Sequence, residues 1–351
     1  MTSPHLPTDP AEPHLLWRTR PLFALFRATR PAFLTITLAA VLLGFALAGS
    51  ASNAPSYPPA VLVVAGLATL LIALLAHAAA NVINDACDTD TDAVYRTRLF
   101  PFTGGSRFVQ NGVFTPSELW RLATGLVTAA TLIGALLLFW LTQTATAPLT
   151  PLAAIASAGF LLLWGYSAPP LRFAARGWGE IAIALAWSLV VAGSATLMAA
   201  LFDAPLSVGH AWLCGLPFGL LVANILYINQ FPDAPADALV GKRTWPVRLG
   251  RSAIWGYPLI ALLAALTHLF LVLTGLFPLS ALTALLPLAA SASATRRLFA
   301  FARSIPPGGS WSAVTDFRPL LPAIVATMAA AHGYALLLAL VLGIARLGAD
   351  S

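Results

Sequence analysis

Four of the 13 acidic residues fall between positions 85 and 92, where a long apolar run ends in Asn81-Val-Ile-Asn-Asp-Ala-Cys-Asp-Thr-Asp-Thr-Asp92. Asp85, Asp88 and Asp92 are three and four residues apart, a helical spacing that sets all three on one face. Asn81 and Asn84 share that arc one turn earlier, while Asp90 falls off the stripe and is read as facing water. Carboxylates beside hydrocarbon are costly unless paired or bound to a cation. A hard divalent cation relieves their repulsion, and Mg²⁺ is commonly held by one or two carboxylates together with phosphates and water. A merely solvated loop needs neither this spacing nor the asparagines. An EF-hand calcium loop is excluded, because its glycine turn and closing glutamate are absent.

A second acidic pair closes another apolar run in Asn229-Gln-Phe-Pro-Asp233-Ala-Pro-Ala-Asp237, about 148 residues after the first motif. Lys242, Arg243 and Thr244 follow directly, then Val247, Arg248, Leu249 and Gly250. Lys242 is the only lysine among 19 basic side chains. An ammonium is a compact point charge suited to phosphate, and Arg243 and Arg248 can grip phosphate oxygens bidentately. The plainer alternative, that these residues and Arg251 only anchor the next helix by charge, stays open. Pro232 and Pro235 predict that the preceding helix ends near Phe231. Asp233 would then cap a new short helix whose first turn tolerates Pro235, with Asp237 one turn further on.

These residues must be positioned by membrane-spanning helices. The chain of 351 residues is 59% hydrophobic and 9% charged, with a mean hydropathy of +0.83, outside the range of soluble domains. Nine apolar runs are long enough to cross a bilayer: about 31–49, 59–83, 119–141, 151–168, 179–202, 208–230, 253–275, 277–303 and 319–347. No alternation of period two argues for a barrel, so an all-α bundle of about nine transmembrane helices is expected. Basic residues cluster before the first run and after runs two, four, six and eight, and Arg346 alone falls on the other side. That asymmetry predicts a cytoplasmic N-terminus and acidic motifs facing the cytoplasm of a cell (inner) membrane.

Residues 1–25 read as a disordered arm and 26–347 as one transmembrane domain, with pseudo-repeat halves at about 26–170 and 171–347. The net charge of +6 follows from this sorting of arginines, so nucleic-acid binding is not expected. The first 30 residues lack the apolar core of a secretory signal. Cys87 and Cys214 form neither a zinc pattern nor a disulfide framework. His77, one turn before Asn81, reads as a hydrogen-bonded helix histidine; His210, His268 and His332 carry no pairing signal.

Asn84, Asp85, Asp88 and Asp92, with Asp233 and Asp237 in a bundle of nine helices, resemble the UbiA superfamily of membrane prenyltransferases. Lys242-Arg-Thr and Val247-Arg-Leu-Gly250 are similar to its branch containing 1,4-dihydroxy-2-naphthoate polyprenyltransferase, which serves menaquinone biosynthesis. Gly104-Gly-Ser-Arg107 with Gln110 and Gly112 fits that branch, and Tyr166-Ser-Ala-Pro-Pro-Leu-Arg172 with Gly177-Trp-Gly-Glu180 fits the family. The resemblance covers roughly residues 25 to 345. It implies a central cavity with the aspartates at its mouth, where Asn84, Asp85, Asp88, Asp92, Asp233 and Asp237 hold Mg²⁺ and a prenyl diphosphate. It implies that Lys242, Arg243 and Arg107 neutralise the departing diphosphate, and that Asn81, Gln110, Tyr166, Arg172 and Arg248 contact substrate.

Ionising an allylic diphosphate needs Lewis-acid stabilisation of the leaving group and a water-poor pocket. An electron-rich aromatic acceptor then attacks the prenyl cation. A quinone precursor such as 1,4-dihydroxy-2-naphthoate is the expected acceptor; 4-hydroxybenzoate, a tetrapyrrole or a sugar phosphate remain open. A cation-coupled transporter would place its ionisable residues near the bilayer midplane at broken helices, whereas these stand at helix ends beside Lys and Arg. A phosphatidyl-alcohol transferase would want a glycine-containing aspartate signature that is absent.

Overall fold

Hydrocarbon offers no hydrogen-bond partners, so an apolar run must satisfy its own backbone, and helices result. A computed structural model describes residues 12–51, 57–95, 99–144, 150–202, 204–306 and 309–349, and no strand occurs among them. The helices are α1 (Pro21–Ala28), α2 (Pro31–Ser50), α3 (Pro59–Cys87), α4 (Thr89–Ala93), α5 (Pro116–Thr144) and α6 (Thr150–Ser167). After them come α7 (Phe173–Arg176), α8 (Gly179–Phe202), α9 (Val208–Leu239), α10 (Trp245–Leu249), α11 (Gly256–Leu273), α12 (Leu288–Ala302) and α13 (Leu321–Ala349). Helices α1, α2, α3 and α10 carry proline in their first turn, where the missing N–H is no loss.

Among the described residues, eight helical stretches are long and apolar enough to cross a membrane. The ninth expected span, 277–303, is broken. Pro287 separates a 3₁₀ segment, Leu279–Leu285, from the 15 residues of α12. At 1.5 Å per residue α12 is about 22 Å long, short of a hydrocarbon layer of roughly 30 Å.

Helix α9 is the central element: 72% of its apolar window is buried, against 11% for α3 and α5. Small residues on α8 (Ala184, Ser188) meet Gly215 and Gly219 of α9, which lets the two backbones approach closely. One core joins α2, α8, α9, α11 and α13 around Leu43, Trp187 and Phe218. Another joins α9 to α12 and the loop before α13 around Phe231, Trp311 and Phe317. At the far end of α8 from Glu180, Arg346 lies over the Phe202 ring. The described basic residues around the acidic motifs therefore occupy the opposite end of the bundle.

Two further expectations need correction. Helix α9 does not stop near Phe231 but runs to Leu239 with Pro217, Pro232 and Pro235 inside it. Each proline removes one hydrogen bond, and the buried contacts of Phe231, Ala234 and Ala236 outweigh that local loss. The arm expected over 1–25 lies outside the described residues up to position 11, but from residue 12 it is folded. Leu15–Thr19 form a 3₁₀ turn, Asn111 Nδ2 donates to the Pro13 carbonyl at 2.9 Å, and Trp17 packs on Phe108. A short apolar patch, Trp17 with Ala24 and Ala28, is enough to dock this segment on the loop before α5.

Candidate active site

The first acidic motif straddles the α3–α4 junction. Asp88 leaves helical geometry (φ −96°, ψ 13°), yet its N–H still donates to the Asn84 carbonyl at 2.8 Å, and the Asp92 N–H donates to that of Asp88 at 2.8 Å. The helical repeat thus survives the break, and Asn84, Asp88 and Asp92 stay on one face. Asn84 Nδ2 donates to Asp88 Oδ2 at 2.8 Å and to Ser167 Oγ at 3.1 Å, which fixes the amide and leaves its carbonyl oxygen for another partner. Asn81 Nδ2 donates to the Thr29 carbonyl at 3.0 Å and so anchors the α1–α2 link.

Asp85 turns toward Arg30 and the loop before α5. Its Oδ1 accepts from the Arg30 guanidinium and from the Ser106 N–H at 3.2 Å. Arg30 sits in left-handed backbone (φ 56°); such a conformation persists where surroundings over-determine it. Burial lowers the pKa of that guanidinium, but Asp85 and Asp92 outweigh burial and hold it above its ordinary value.

The Gly104-Gly-Ser-Arg107 loop closes over this motif. Gly105 has φ +73°, and a Cβ there would collide with the Asp92 carboxylate, so only glycine permits the approach. Arg107, buried and itself at φ 65°, donates to the Asp92 carbonyl. Gln110 Nε2 donates to the Thr89 carbonyl at 3.1 Å. Burial, reinforced by Asp85 and Asp88, holds the Asp92 carboxyl well above the usual carboxylate range; a cation in the cluster would remove that frustration.

Asp233 and Asp237 stand one turn apart on α9, facing the first motif. Tyr95, three residues beyond Asp92, donates its hydroxyl to Asp233 Oδ1. Thr244 Oγ1 donates to Asp237 Oδ2 at 3.2 Å. Lys242 joins the halves: its Nζ lies 2.9 Å from Asp88 Oδ1 and 3.7 Å from Asp237 Oδ1. Burial lowers the ammonium pKa, and Asp88 and Asp237 more than reverse that, keeping it charged. Its position depends on Gly177, where a Cβ would come within 2.7 Å of the Arg243 carbonyl. That approach lets the Arg243 N–H donate to the Ala175 carbonyl at 2.8 Å.

Glu180 is buried beside Gln230 and Trp245 of the neighbouring segments, but neither carboxylate oxygen has a hydrogen bond of good geometry. Tyr166, near the end of α6, is close enough to Glu180 and Asp88 to feel their charge. The outer basic residues do other work. Arg248 stacks over Trp245 and donates to the Arg176 carbonyl at 2.6 Å, which ties α10 to α7. Arg243 and Arg172 are exposed, and Arg172 is close enough to Cys87 to act on it electrostatically. His77 is hydrogen-bonded as expected, its Nδ1 2.8 Å from Thr37 Oγ1 and its ring edge-on to Trp187.

The aspartates supply hard oxygen donors of the kind Mg²⁺ takes. Among the described residues no three His, Cys, Asp or Glu side chains converge tightly enough to enclose a metal alone.

Residues 37–301 match the UbiA prenyltransferase family. The chain belongs to that family. A 1,4-dihydroxy-2-naphthoate octaprenyltransferase of Haemophilus influenzae is 30% identical over 230 residues, covering 64% of this chain and 68% of that protein. A UbiA homologue from Archaeoglobus fulgidus bound to GPP and Mg²⁺ superposes with a TM-score of 0.55 at 16% identity, over 89% of this chain and 99% of that one. The apo UbiA homologue from Aeropyrum pernix K1 gives 0.57 at 16% identity, over 85% and 97%. At such identities these likenesses carry the fold. The protein is thus a multi-pass membrane prenyltransferase. Arg30 and Tyr95 are site neighbours that no sequence motif marks, and Ser167 and Thr244 stand inside motifs that gave them no role of their own. Arg30 was absorbed into the charge asymmetry, and a lone Tyr95 carries no spacing signal.

Proposed function

We propose that the protein transfers a polyprenyl group from a prenyl diphosphate to 1,4-dihydroxy-2-naphthoate, with Mg²⁺, in menaquinone biosynthesis. The observation that carries this reading is Lys242 held between Asp88 and Asp237: one cationic side chain unites two oxygen-rich motifs where a diphosphate would dock. The name of the H. influenzae relative supports the acceptor.

Asn84, Asp85, Asp88 and Asp92 on one side, and Asp233 and Asp237 on the other, would hold Mg²⁺. The ion supplies Lewis-acid stabilisation of the leaving diphosphate. Largely buried Lys242 and Arg107, with the exposed Arg243, offset the charge that develops as the allylic C–O bond breaks, and burial strengthens the effect of the first two. Asn81, Gln110 and Arg248 hold the loops and helix ends that frame the diphosphate, exposed Arg172 is placed to meet substrate at the rim, and Tyr166 and Glu180 form a polar wall for the acceptor. The site faces the cytoplasm of the inner membrane, where a soluble aromatic acid meets a lipid-borne chain; the basic clusters at the aspartate end favour that orientation.

An acceptor panel of purified protein with a long-chain prenyl diphosphate, read by mass spectrometry, tests the acceptor. Prenylated naphthoate is expected. Product only from 4-hydroxybenzoate, a tetrapyrrole or a sugar phosphate would replace the acceptor and keep the chemistry.

A further inference from the structure

The two acidic motifs share more than their aspartates. Asn84, Asp88 and Asp92 stand at i, i+4 and i+8; Asn229, Asp233 and Asp237 repeat the same residue types at the same spacing, each 145 positions later. In the first half the pattern crosses the α3–α4 junction with its helical hydrogen bonds intact. In the second it lies wholly within α9. In both, an asparagine precedes the first aspartate by one turn on the same face.

Asn229 is 8% exposed, and its Oδ1 is buried without a hydrogen-bond partner. A buried oxygen left unpaired is unfavourable, so it points to a partner supplied from outside the chain. The aspartates beyond it all have partners: Tyr95 serves Asp233, while Lys242 and Thr244 serve Asp237. Two other amide oxygens of α9, on Asn224 and Gln230, are also buried and unpaired; Asn224 lies off the aspartate stripe, and Gln230, which shares the register of Asp85 rather than that of Asn84, turns toward Glu180. Asn224 Nδ2 donates to the Tyr257 carbonyl at 3.1 Å. An amide carbonyl is a hard, neutral oxygen donor. It adds a bond to a cation without adding negative charge, so the cation keeps its attraction for a diphosphate.

We propose that Asn229 is an oxygen ligand of the divalent cation held by Asp233 and Asp237, the counterpart in the second half of Asn84 in the first. The proposal rests on the reading that both motifs bind divalent cations together with a prenyl diphosphate. Asn84, Asp88 and Asp92 are then matched by Asn229, Asp233 and Asp237, while Asp85, paired with Arg30, has no acidic counterpart in the second half.

The test uses the full-length protein in nanodiscs with a non-transferable prenyl thiolodiphosphate, and counts bound Mn²⁺ by electron paramagnetic resonance. Wild type should bind two ions. Asn229→Ala should weaken one of them by about tenfold or more, as Asn84→Ala weakens the other, and Asn229→Asp, which keeps an oxygen and adds charge, should bind more tightly than wild type. Unchanged Mn²⁺ affinity in a folded Asn229→Ala would overturn the role of Asn229. Should Asn229→Ala fail to fold, Asn229→Asp decides: tighter binding than wild type supports ligation, and unaltered binding overturns it. Asp88→Ala and Asp233→Ala separate this from failure of the wider reading, because unaltered binding in both of those would remove the cations themselves.

Discussion

Lys242 Nζ lies 2.9 Å from Asp88 Oδ1, so a side chain that follows the second acidic motif is held at the centre of the first. The ammonium is also 3.7 Å from Asp237 and is mostly buried. It therefore balances two carboxylates that come from opposite halves of the chain.

Replacing Lys242 leaves those carboxylates facing one another and removes a charge that offsets the departing diphosphate. Lys242→Ala should lower kcat on the order of 10²–10³-fold. Lys242→Arg should recover only part, because a planar fork does not fit a point-charge position. Steady-state kinetics in both variants check this, and an unchanged kcat in Lys242→Ala would remove Lys242 from the chemistry.

Arg30, partly buried, forms an ion pair with the buried Asp85. Arg30→Leu strands the carboxylate and should destabilise the protein by about 3–5 kcal/mol. Adding Asp85→Leu should restore most of the stability, read as the thermal midpoint in detergent. Activity separates two roles for Asp85. If it is a metal ligand, the double variant stays inactive at any Mg²⁺ concentration; if it serves only to hold Arg30 and the loop, activity returns with stability.

The helical stripe of the first motif and the isolation of Lys242 were legible in the sequence because both depend on local spacing and composition. Asp88 and Asp92 needed only helical periodicity to be placed, whereas Asp85, expected on the same face, turns toward Arg30 and the Ser106 N–H. Tyr95 and Arg30 were not legible: each reaches its aspartate across a large gap in sequence, and neither residue type is unusual where it stands. The proline pair misled for the same reason. Pro232 and Pro235 are strong local breakers, but α9 lies at the centre of the bundle, where packing of Phe231 and Ala234 outweighs two lost hydrogen bonds. The ninth span read as one apolar run, and hydropathy alone did not register the break at Pro287.

Tyr95→Phe removes one hydrogen bond to Asp233 and little else. A net loss of about 1 kcal/mol corresponds to roughly fivefold, and it should appear as weaker prenyl diphosphate binding and a raised Mg²⁺ requirement, with kcat less affected. A change confined to the thermal midpoint would make Tyr95 purely structural.

Gly105→Ala introduces a Cβ where the Asp92 carboxylate lies, at a φ that L side chains avoid. The loop must move away from Asp92. A loss of about 1–3 kcal/mol in stability is expected, together with a higher Mg²⁺ concentration for half-maximal rate. Gly241→Ala is the matched control: its φ is +76°, but nothing lies within 4 Å of the added methyl, so stability should fall while the Mg²⁺ requirement stays put.

Prenyl transfer by the purified protein, followed with a radiolabelled prenyl diphosphate and an aromatic acceptor, tests the joint action of the two acidic motifs most directly. Product is expected with Mg²⁺ and none after chelation, and Asp88→Ala and Asp233→Ala should each abolish it. Undiminished transfer in both variants, or in the presence of excess chelator, would contradict a metal-assisted diphosphate site built from these two motifs.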